Sequence, residues 1–403
     1  MNQTGNAVLL ADSRLCFEKV GGLTALERQL FTASRCGLQK VWIGLDKPAG
    51  EILSRLRLPP GLEVFWSQKA SLECAAPSVI LSGQHFIRVA ALAQIIQNPS
   101  GAVFDFEDGS GACVARTLSR APQKNEPKQR RTLPEDSAVF LQSPINQGPA
   151  LNWLLVSGNK SQDGFMARHF DRHISLTISR CLLATPVTPN IMTVLSSLLG
   201  LIGTTFFLTP SHASALKGAV LVWLHSVLDG CDGELARIRF QESALGSDID
   251  FWGDNLVHLS LFGCLAIGFS RADQSLLPLA LGLAAGIGTL GSATLVYRQR
   301  VARRHNLAPL EDSHGISSTL TRIENILAAR DFIYLLLFLA YVDRTYEFLW
   351  ASAVGSVLFF IMMTYLRRSR HEQVIGPHQP CKGEIGNSVA GDGCGHQHLY
   401  SRR

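Results

Sequence analysis

The C-terminal part of this 403-residue chain is dominated by long apolar segments. Six of them follow one another after about residue 165, separated by polar or charged loops: 190–208, 213–230, 251–270, 275–297, 331–343 and 347–366. About 20 apolar residues are needed to cross a bilayer as a helix, which satisfies its own backbone polar groups. The fifth segment is short for this and is expected to extend back toward Ile323. The pattern predicts an all-α polytopic membrane domain with six transmembrane helices.

Residues 1–160 show a different pattern, in which short apolar runs alternate with stretches of helical periodicity. The strand candidates are 7–11, 40–44, 62–66, 78–81 and 102–106, and the helix candidates are 23–36 and 87–97. Such alternation is typical of a mostly parallel sheet. Residues 119–148 are polar and contain prolines, which predicts a loop outside the core. We therefore expect an α/β, Rossmann-like N-terminal domain over 1–160 and a membrane domain over 186–370.

Two further segments lie outside these domains. Residues 165–185 mix basic and apolar side chains at helical spacing, which predicts an amphipathic helix in the cytoplasmic interface of the membrane, with a simple linker helix as the alternative. Residues 371–403 are polar and glycine-rich, which predicts a disordered tail.

The distribution of arginine predicts the orientation of the membrane domain. The loops after the first, third and fifth apolar segments hold only Arg271 and Arg344. The other loops and the C-terminal region hold Arg237, Arg239, Arg298, Arg300, Arg303, Arg304, Arg322, Arg330, Arg367, Arg368 and Arg370. The positive-inside rule places these loops and both termini on the cytoplasmic side of the cell inner or plasma membrane. These loops account for much of the net charge of +5, so no nucleic-acid partner is predicted.

Four aspartates occupy a fixed frame within this membrane domain. It reads Asp229-x-x-Asp232-Gly233-x-x-Ala236-Arg237, then eight residues to Gly246, three to Asp250 and three to Asp254. Asp229 and Asp232 are i, i+3 and share one helix face, while Asp250 and Asp254 are i, i+4 on a second helix. Gly246 lies between them, where the chain is expected to turn. Carboxylates inside a membrane are costly and mark functional sites.

This arrangement of carboxylates predicts a chemistry. Four negative charges in one space repel one another unless cations neutralise them. Oxygen ligands favour Mg²⁺ or Mn²⁺ over zinc, and two such ions about 4 Å apart stabilise the attacking and leaving oxygens of phosphoryl transfer. Gly233 and Ala236 leave room for a flat ligand, and Arg237 offers a two-pronged donor to phosphate. The frame predicts a two-metal site for a phosphate-containing ligand.

The frame resembles, position by position, the signature of the CDP-alcohol phosphotransferase family, and the resemblance covers roughly residues 165–370. It implies an integral-membrane enzyme that transfers a substituted phosphate from a CDP-alcohol to an acceptor alcohol and releases CMP. Two Mg²⁺ or Mn²⁺ ions would be bound by Asp229, Asp232, Asp250 and Asp254, with Asp254 also acting as general base. The implied donor contacts are Asn190, Thr193, Gly233, Ala236, Arg237 and Ser243. Ordinary helix-start or loop roles are the alternatives for Asn190, Thr193 and Ser243.

The two alcohols are left open by the sequence. The donor could be CDP-diacylglycerol or a CDP-polyol such as CDP-inositol. The acceptor could carry a phosphate, as inositol phosphate and glycerol phosphate do. Candidates for binding that phosphate are Arg298, Arg300, Arg303, Arg304 and Arg330. The alternative role of these arginines is orientation in the membrane alone. Members of the family often form homodimers, so a second copy of the chain is one partner that the resemblance allows.

The N-terminal domain resembles the sugar-phosphate nucleotidyltransferases. The resemblance is carried by Ala7-Val8-Leu9-Leu10-Ala11, by Val20-Gly21-Gly22-Leu23-Thr24-x-Leu26-Glu27-Arg28 and by Gly37-Leu38-x-Lys40-Val41. The glycine-rich phosphate loop of active members is replaced by Asp12-Ser13-Arg14-Leu15, and their Gly-Asp metal position aligns with Gly83-Gln84. An inactive domain is therefore predicted. The order of the halves resembles a fusion of inositol-1-phosphate cytidylyltransferase with di-myo-inositol phosphate phosphate synthase.

Three alternatives remain open at this point. The N-terminal domain could still make the CDP-alcohol from CTP, which would make the protein bifunctional. It could instead be a module that senses a nucleotide. Intramembrane carboxylates also occur on the ion paths of transporters, although two long inverted repeats, typical of many transporters, are not evident here.

Overall fold

The structure is a computed structural model that describes residues 6–11, 14–45, 56–68, 79–97, 104–108, 113–117, 129–141, 148–157, 170–304 and 332–374. An α/β region is followed by a set of long helices. This division confirms the predicted fold class at the level of an α/β region and a helical domain. Most of the predicted tail at 371–403, and the expected extension of the fifth segment toward Ile323, lie outside the described residues.

The α/β region contains a seven-stranded sheet in the order β10-β8-β9-β6-β1-β4-β5. The strands, with two short pairs beside the sheet, are β1 (Asn6–Leu10), β2 (Lys19–Val20), β3 (Leu23–Thr24), β4 (Lys40–Leu45), β5 (Glu63–Gln68), β6 (Val79–Ser82), β7 (His85–Ile87), β8 (Phe104–Glu107), β9 (Cys113–Thr117), β10 (Gln129–Thr132) and β11 (Ala138–Phe140). β1 is parallel to β4 and β6, β4 to β5, and β10 to β8, whereas β9 is antiparallel to both its neighbours. The sheet is therefore mostly parallel, as expected.

The prediction that residues 119–148 form only a loop is wrong for two segments. β10 pairs with β8 at the edge of the sheet, and β11 pairs with β7. The sequence of β10 is Gln-Arg-Arg-Thr, and Arg130 is largely exposed. An edge strand gains its hydrogen bonds from one neighbour and tolerates charged side chains, so it lacks the apolar alternation by which strands are predicted.

Three helices pack on the sheet and its short strands: α1 (Ala25–Arg35), α2 (Val89–Ile96) and α3 (Gly148–Ser157). α1 begins at a capping box, in which Thr24 Oγ1 accepts from Glu27 N at 3.1 Å and the Glu27 carboxylate accepts from Thr24 N at 2.7 Å. The box satisfies amide donors that have no partner within the helix. Leu26 and Leu30 are then fully buried in the core, so α1 is fixed at its start and along one face.

The helical domain is built from α4 (Arg172–Leu182), α5 (Pro189–Thr205), α6 (His212–Ile238), α7 (Ala244–Asp273), α8 (Leu277–Arg304), α9 (Phe332–Tyr341) and α10 (Thr345–Val374). Four stretches of the described chain are long and apolar enough to cross a membrane: Pro189–Leu208, Ala244–Asp273, Leu277–Ala302 and Thr345–Arg368. The 27-residue α6 is not among them, because Lys217, His225 and Asp229 lower the hydropathy of its apolar part. The number of six spanning helices stays a prediction.

α4 lies in the segment expected to hold an interfacial helix. Ser175 and Ser179 are buried against α6, whereas Phe170 and Ile174 are exposed. Leu176, Ile178 and Leu182, in contrast, pack against buried residues of the protein. The place of this helix in the membrane interface stays a prediction.

Small residues let α5, α6 and α7 approach one another closely. A Cβ atom on Gly200 of α5 would lie 2.9 Å from the side chains of both His225 on α6 and Val257 on α7. Gly253 of α7 similarly faces Ser197, whose Oγ would lie 2.6 Å from an added Cβ. These contacts bring together the helices that carry the aspartate frame.

Candidate active site

The structure brings three of the four predicted metal ligands together. Asp229 lies on α6, and Asp250 and Asp254 lie on successive turns of α7. One carboxylate oxygen of each lies within 4.8 Å of the others. Asp229 is buried and the other two are half-buried. Three carboxylate oxygens at this spacing suit a hard divalent cation such as Mg²⁺ or Mn²⁺.

Asp232 stands one turn further along α6 and is buried outside this group of three. The Thr193 hydroxyl donates to the Asp232 carboxylate and also lies 3.1 Å from the Pro189 carbonyl oxygen. The first turns of α5 are thereby attached to the last turns of α6. Thr193, which is expected to contact the CDP-alcohol, is therefore held against Asp232 of the aspartate frame.

A cleft of about 260 Å³ opens beside these carboxylates. It is lined by Pro189, Asn190, Thr193, Asp232, Gly233, Ala236, Arg237, Gln241, Glu242, Ser243, Gly246, Ser247 and Asp250. All six residues expected to contact the CDP-alcohol lie in this wall. Sequence reasoning missed Gln241, Glu242 and Ser247, which the frame leaves unspecified; the first two lie in the turn between α6 and α7, and Ser247 lies in the first turn of α7.

Gly233 lies directly beside the end of the Arg237 side chain. A Cβ at this position would lie 2.9 Å from Nη1 of Arg237, one turn further along α6. The guanidinium therefore lies back over the preceding turn of its own helix, in the wall of the cleft. Since guanidinium groups bind phosphate through paired N–H donors, this position suits a diphosphate ligand.

Gly246 is not in a turn, which corrects the sequence interpretation. It lies in the first turn of α7, and the chain reverses earlier, over residues 239–243. Ser243 is the N-cap of α7, and its Oγ accepts from Gly246 N at 2.9 Å. An added Cβ on Gly246 would lie 2.8 Å from Asn190 Oδ1. The glycine therefore allows the starts of α5 and α7 to meet, and Ser243 has a structural role in addition to its place in the cleft.

The arginines that are candidates for binding an acceptor phosphate are not gathered in one place as the aspartates are. Arg304 is paired with Asp248, with Nη2 2.9 Å from Oδ1, and the Arg300 guanidinium lies 4.5 Å from the centre of the Phe251 ring. Arg298 is exposed. The side chain of Arg303 and the whole of Arg330 lie outside the described residues. An acceptor phosphate at Arg304 would compete with Asp248, which the sequence analysis overlooked.

His225 is a buried residue that the sequence analysis also missed. Its Nδ1 lies 2.9 Å from the Ser196 carbonyl oxygen, which can only accept, so Nδ1 carries the hydrogen. Its Nε2 lies 3.6 Å from Asp254 Oδ1. The detectable signal was the i, i+4 spacing between His225 and Asp229 on α6, which puts both on one helix face.

In the N-terminal domain, the carboxyl end of β1 is covered. Gly83 N donates to the Leu10 carbonyl oxygen at 2.9 Å. A Cβ on Gly83 would lie 2.5 Å from that oxygen and 2.9 Å from Cys16 Sγ. Cys16 belongs to a short 3-10 helix, Arg14–Phe17, in the region where a phosphate loop would be expected. The predicted inactivity of this domain remains a prediction, and this close packing supports it.

Comparison with known proteins identifies the helical half. Residues 186–366 match the family described as CDP-alcohol phosphatidyltransferase, and the C-terminal half of the chain is a domain of this family. The resemblance to this family is therefore confirmed. The match covers the whole aspartate frame, both helices that carry it, and the start of α5.

Curated relatives are named for two activities. A "bifunctional IPC transferase and DIPP synthase" of Thermococcus kodakarensis is 45% identical over 104 residues, which are 26% of this chain and 23% of the relative. A protein of the same name from Rubrobacter xylanophilus is 36% identical over 153 residues, 38% of this chain and 31% of the relative. The chain thus covers less than a third of either relative's length. Their names agree with the fusion that the sequence suggested.

Among solved structures, the phosphatidylinositol phosphate synthase of Mycobacterium tuberculosis with CDP-DAG bound is 20% identical. The match covers 48% of this chain and 92% of that chain, with a TM-score of 0.35.

Proposed function

We propose that this protein is a membrane-embedded phosphotransferase that moves a substituted phosphate from a CDP-alcohol to an acceptor alcohol and releases CMP. The observation that carries the proposal is the group of three carboxylates beside a cleft that the rest of the aspartate frame lines. The membership of residues 186–366 in the CDP-alcohol phosphatidyltransferase family supports the same chemistry.

The carboxylates fit a resident divalent cation. Asp229, Asp250 and Asp254 would hold one ion, and Asp232, one turn away beside the cleft, would join in binding a second. When bound, Mg²⁺ or Mn²⁺ would neutralise the diphosphate of the donor and stabilise the departing phosphate.

The roles of the protein side chains follow from their positions. Arg237 binds the diphosphate, while Gly233 and Ala236 leave room for the nucleotide, and Asn190, Thr193 and Ser243 border it. Asp254 accepts the proton from the acceptor hydroxyl as the new P–O bond forms and the P–O bond to CMP breaks. His225 lies beside Asp254, with Nε2 3.6 Å from Oδ1, where a protonated imidazole would stabilise the carboxylate. The exposed Arg298, together with Arg300, Arg303, Arg304 and Arg330, remains the proposed source of acceptor contacts.

In the membrane, the six helices α5 to α10 would span the bilayer, with both termini and the carboxylate group at the cytoplasmic side. α6 belongs to this set because its charged residues cluster near its cytoplasmic end, in the site. α9, with ten described residues, is the shortest helix of this set. A homodimer through this domain remains a further proposal.

A bifunctional protein is the second candidate, because both relatives carry the word bifunctional in their names. In that case the N-terminal domain would itself form the CDP-alcohol from CTP and release pyrophosphate. The covered end of β1 argues against it. Pyrophosphate release from CTP and an alcohol phosphate by the full chain would decide in its favour.

The first prediction concerns Asp254. Detergent-purified protein with Mg²⁺ is expected to release CMP from CDP-diacylglycerol or CDP-inositol when given inositol, inositol phosphate or glycerol phosphate. Asp254→Asn should lower kcat by about 100-fold or more, because loss of a general base typically costs 10²–10⁴-fold. Asp273→Asn, which alters an exposed aspartate at the far end of the same helix, serves as the matched control. Equal CMP release by both variants would contradict the assigned role.

A further inference from the structure

The segment that joins α6 to α7 is held by the N-terminal domain. We refer to residues 239–243 as the α6–α7 loop. Arg28 of α1 is buried, and its Nη1 donates to the Ile238 carbonyl oxygen at 2.7 Å while its Nη2 donates to Val20 at 2.9 Å. Arg57 Nη1 donates to the Arg239 carbonyl oxygen at 3.2 Å. Two arginines of one domain thus bind the backbone just before and within this loop.

Phe240 occupies an unfavourable backbone conformation at the centre of the loop. Its φ is +51°, in the left-handed region that costs energy for residues other than glycine. Its ring stacks on Phe31 of α1, with centroids 5.2 Å apart and an angle of 24°. The guanidinium of Arg35 lies 4.5 Å from the same ring. The backbone of Phe240 is held by the end of α6 itself, since Gln241 N donates to the Ala236 carbonyl oxygen at 2.8 Å, whereas its ring is held by the N-terminal domain.

Charged side chains also help to fix the position of the α6–α7 loop. Arg35 forms an ion pair with Glu242, although both side chains are partly exposed and such pairs contribute little. Arg239 is buried and donates to the carbonyl oxygens of Leu182 and Thr185 at 3.1 and 2.8 Å. Leu182 is the last residue of α4, and Thr185 lies between α4 and α5. Arg239 therefore attaches one end of the loop to the chain that leads into Asn190.

The same loop forms part of the cleft wall. Gln241, Glu242 and Ser243 follow Phe240 directly and line the cleft beside Arg237. Phe31 and Phe240 do not line the cleft themselves. Any change in the position of Phe240 would move three wall residues on the side of the cleft that is assigned to the donor.

We propose that the N-terminal domain acts as a clamp within the chain, in which Phe31, Arg28 and Arg35 position the α6–α7 loop and so shape the subsite for the nucleotide part of the CDP-alcohol. The proposal rests on the proposed function for the identity of the ligand. The domain then has a role in donor binding that requires no catalysis of its own. Phe31 is a positioning residue, because it acts on the donor through Phe240.

The kinetic test uses the full chain in detergent with Mg²⁺, a CDP-alcohol and its acceptor. Phe31→Ala is expected to raise the donor KM about three- to tenfold, which corresponds to the usual free energy of an aromatic pair with an adjacent cation. The kcat and the acceptor KM should change less than about twofold. Phe240→Ala should act in the same way, and Phe240→Tyr, which keeps the ring, should restore a donor KM near the wild-type value. The double variant should be no worse than Phe240→Ala, because the two rings act as one contact.

Phe65→Ala is the matched control, since Phe65 stacks on Trp42 in the same domain, with centroids 5.2 Å apart, and lies on the edge strand β5 and not on α1. A simple loss of folded enzyme would lower kcat per mole of protein and leave both KM values unchanged. That result, or an unchanged donor KM in an active Phe31→Ala enzyme, would overturn the clamp.

A second readout separates the clamp from the proposed reaction. Hydrogen exchange in the full chain is expected to be faster over residues 236–243 in Phe31→Ala than in wild type, and unchanged there in Phe65→Ala. If the wild-type protein releases no CMP, the proposed function fails while this exchange difference still supports the clamp. Equal exchange over 236–243 in wild type and Phe31→Ala would overturn the clamp even if the enzyme is active.

Discussion

At the scale of single residues, the two glycines of the aspartate frame have different neighbours. Gly233 lies beside the flexible end of the Arg237 side chain of its own helix, whereas Gly246 makes room for Asn190 of a different helix. The spacing of the frame identifies both positions. The spacing does not reveal the contact between Gly246 and Asn190, because Asn190 lies 56 residues earlier in the chain and meets Gly246 only when α5 packs beside α7.

A substitution at Gly246 tests this packing. Gly246→Ala is expected to raise the donor KM several-fold, because the new methyl group displaces the Asn190 amide or the Ser243 cap, and a lost N-cap costs about 1 kcal/mol. Gly263→Ala on the same helix is the control, since an added Cβ there meets no atom within 4 Å. The measurement is CMP release against donor concentration, and equal KM values for both variants would show that the close approach does not matter.

At the scale of elements, the turn between β6 and β7 carries a buried charged network. His85 Nδ1 lies 2.9 Å from Ser82 Oγ, and Nε2 lies 3.4 Å from Asp108 Oδ2. Burial lowers the pKa of His85 below its ordinary value of 6.5, and the Asp108 carboxylate raises it in part. The strands themselves were partly predictable, since β6 is apolar, but β7 has only three residues and was missed.

The lowered pKa of His85 predicts a pH dependence of local stability. Unfolded chains bind the proton at a higher pH than the folded domain, so stability is complete above about pH 6.5 and falls as the pH decreases below it. Hydrogen exchange over residues 79–87 in the full chain, corrected for intrinsic rates, should show less protection at pH 5.5 than at pH 7.5. His85→Gln should lose most of this difference. Equal pH dependence in both proteins would rule out His85 as its source.

At the scale of the whole molecule, two halves of unlike composition meet beside one cleft. The helical half provides the carboxylates, and the α/β half reaches the cleft through the α6–α7 loop. This arrangement requires the α/β half and the carboxylate end of the bundle to lie on one side of the membrane. The arginine-rich loops favour the cytoplasmic side.

This orientation can be tested with added thiols. Thr209→Cys and Asp343→Cys, both exposed and between helix pairs on the opposite end of the bundle from the loop, are expected to react with a membrane-impermeant maleimide in intact cells. The native chain is the control, because exposed Cys113 and Cys181 should react only after the membrane is permeabilised. Labelling of the native chain in intact cells would place the α/β half outside and refute the orientation.

Local sequence determined a great deal about this protein. Hydropathy, helical spacing and the residue types of the frame were sufficient to predict the two halves and the family of the helical half, because each depends on neighbours within a few turns. The number of spanning helices and the roles of the carboxylates stay predictions. The convergence of Asp229 with Asp250 and Asp254 was foreseen because one loop joins their helices. Tertiary structure alone decided the contacts of Phe31 with Phe240, Gly246 with Asn190, and His225 with Asp254. These pairs lie tens to hundreds of residues apart, and their contact depends on how whole helices and domains pack.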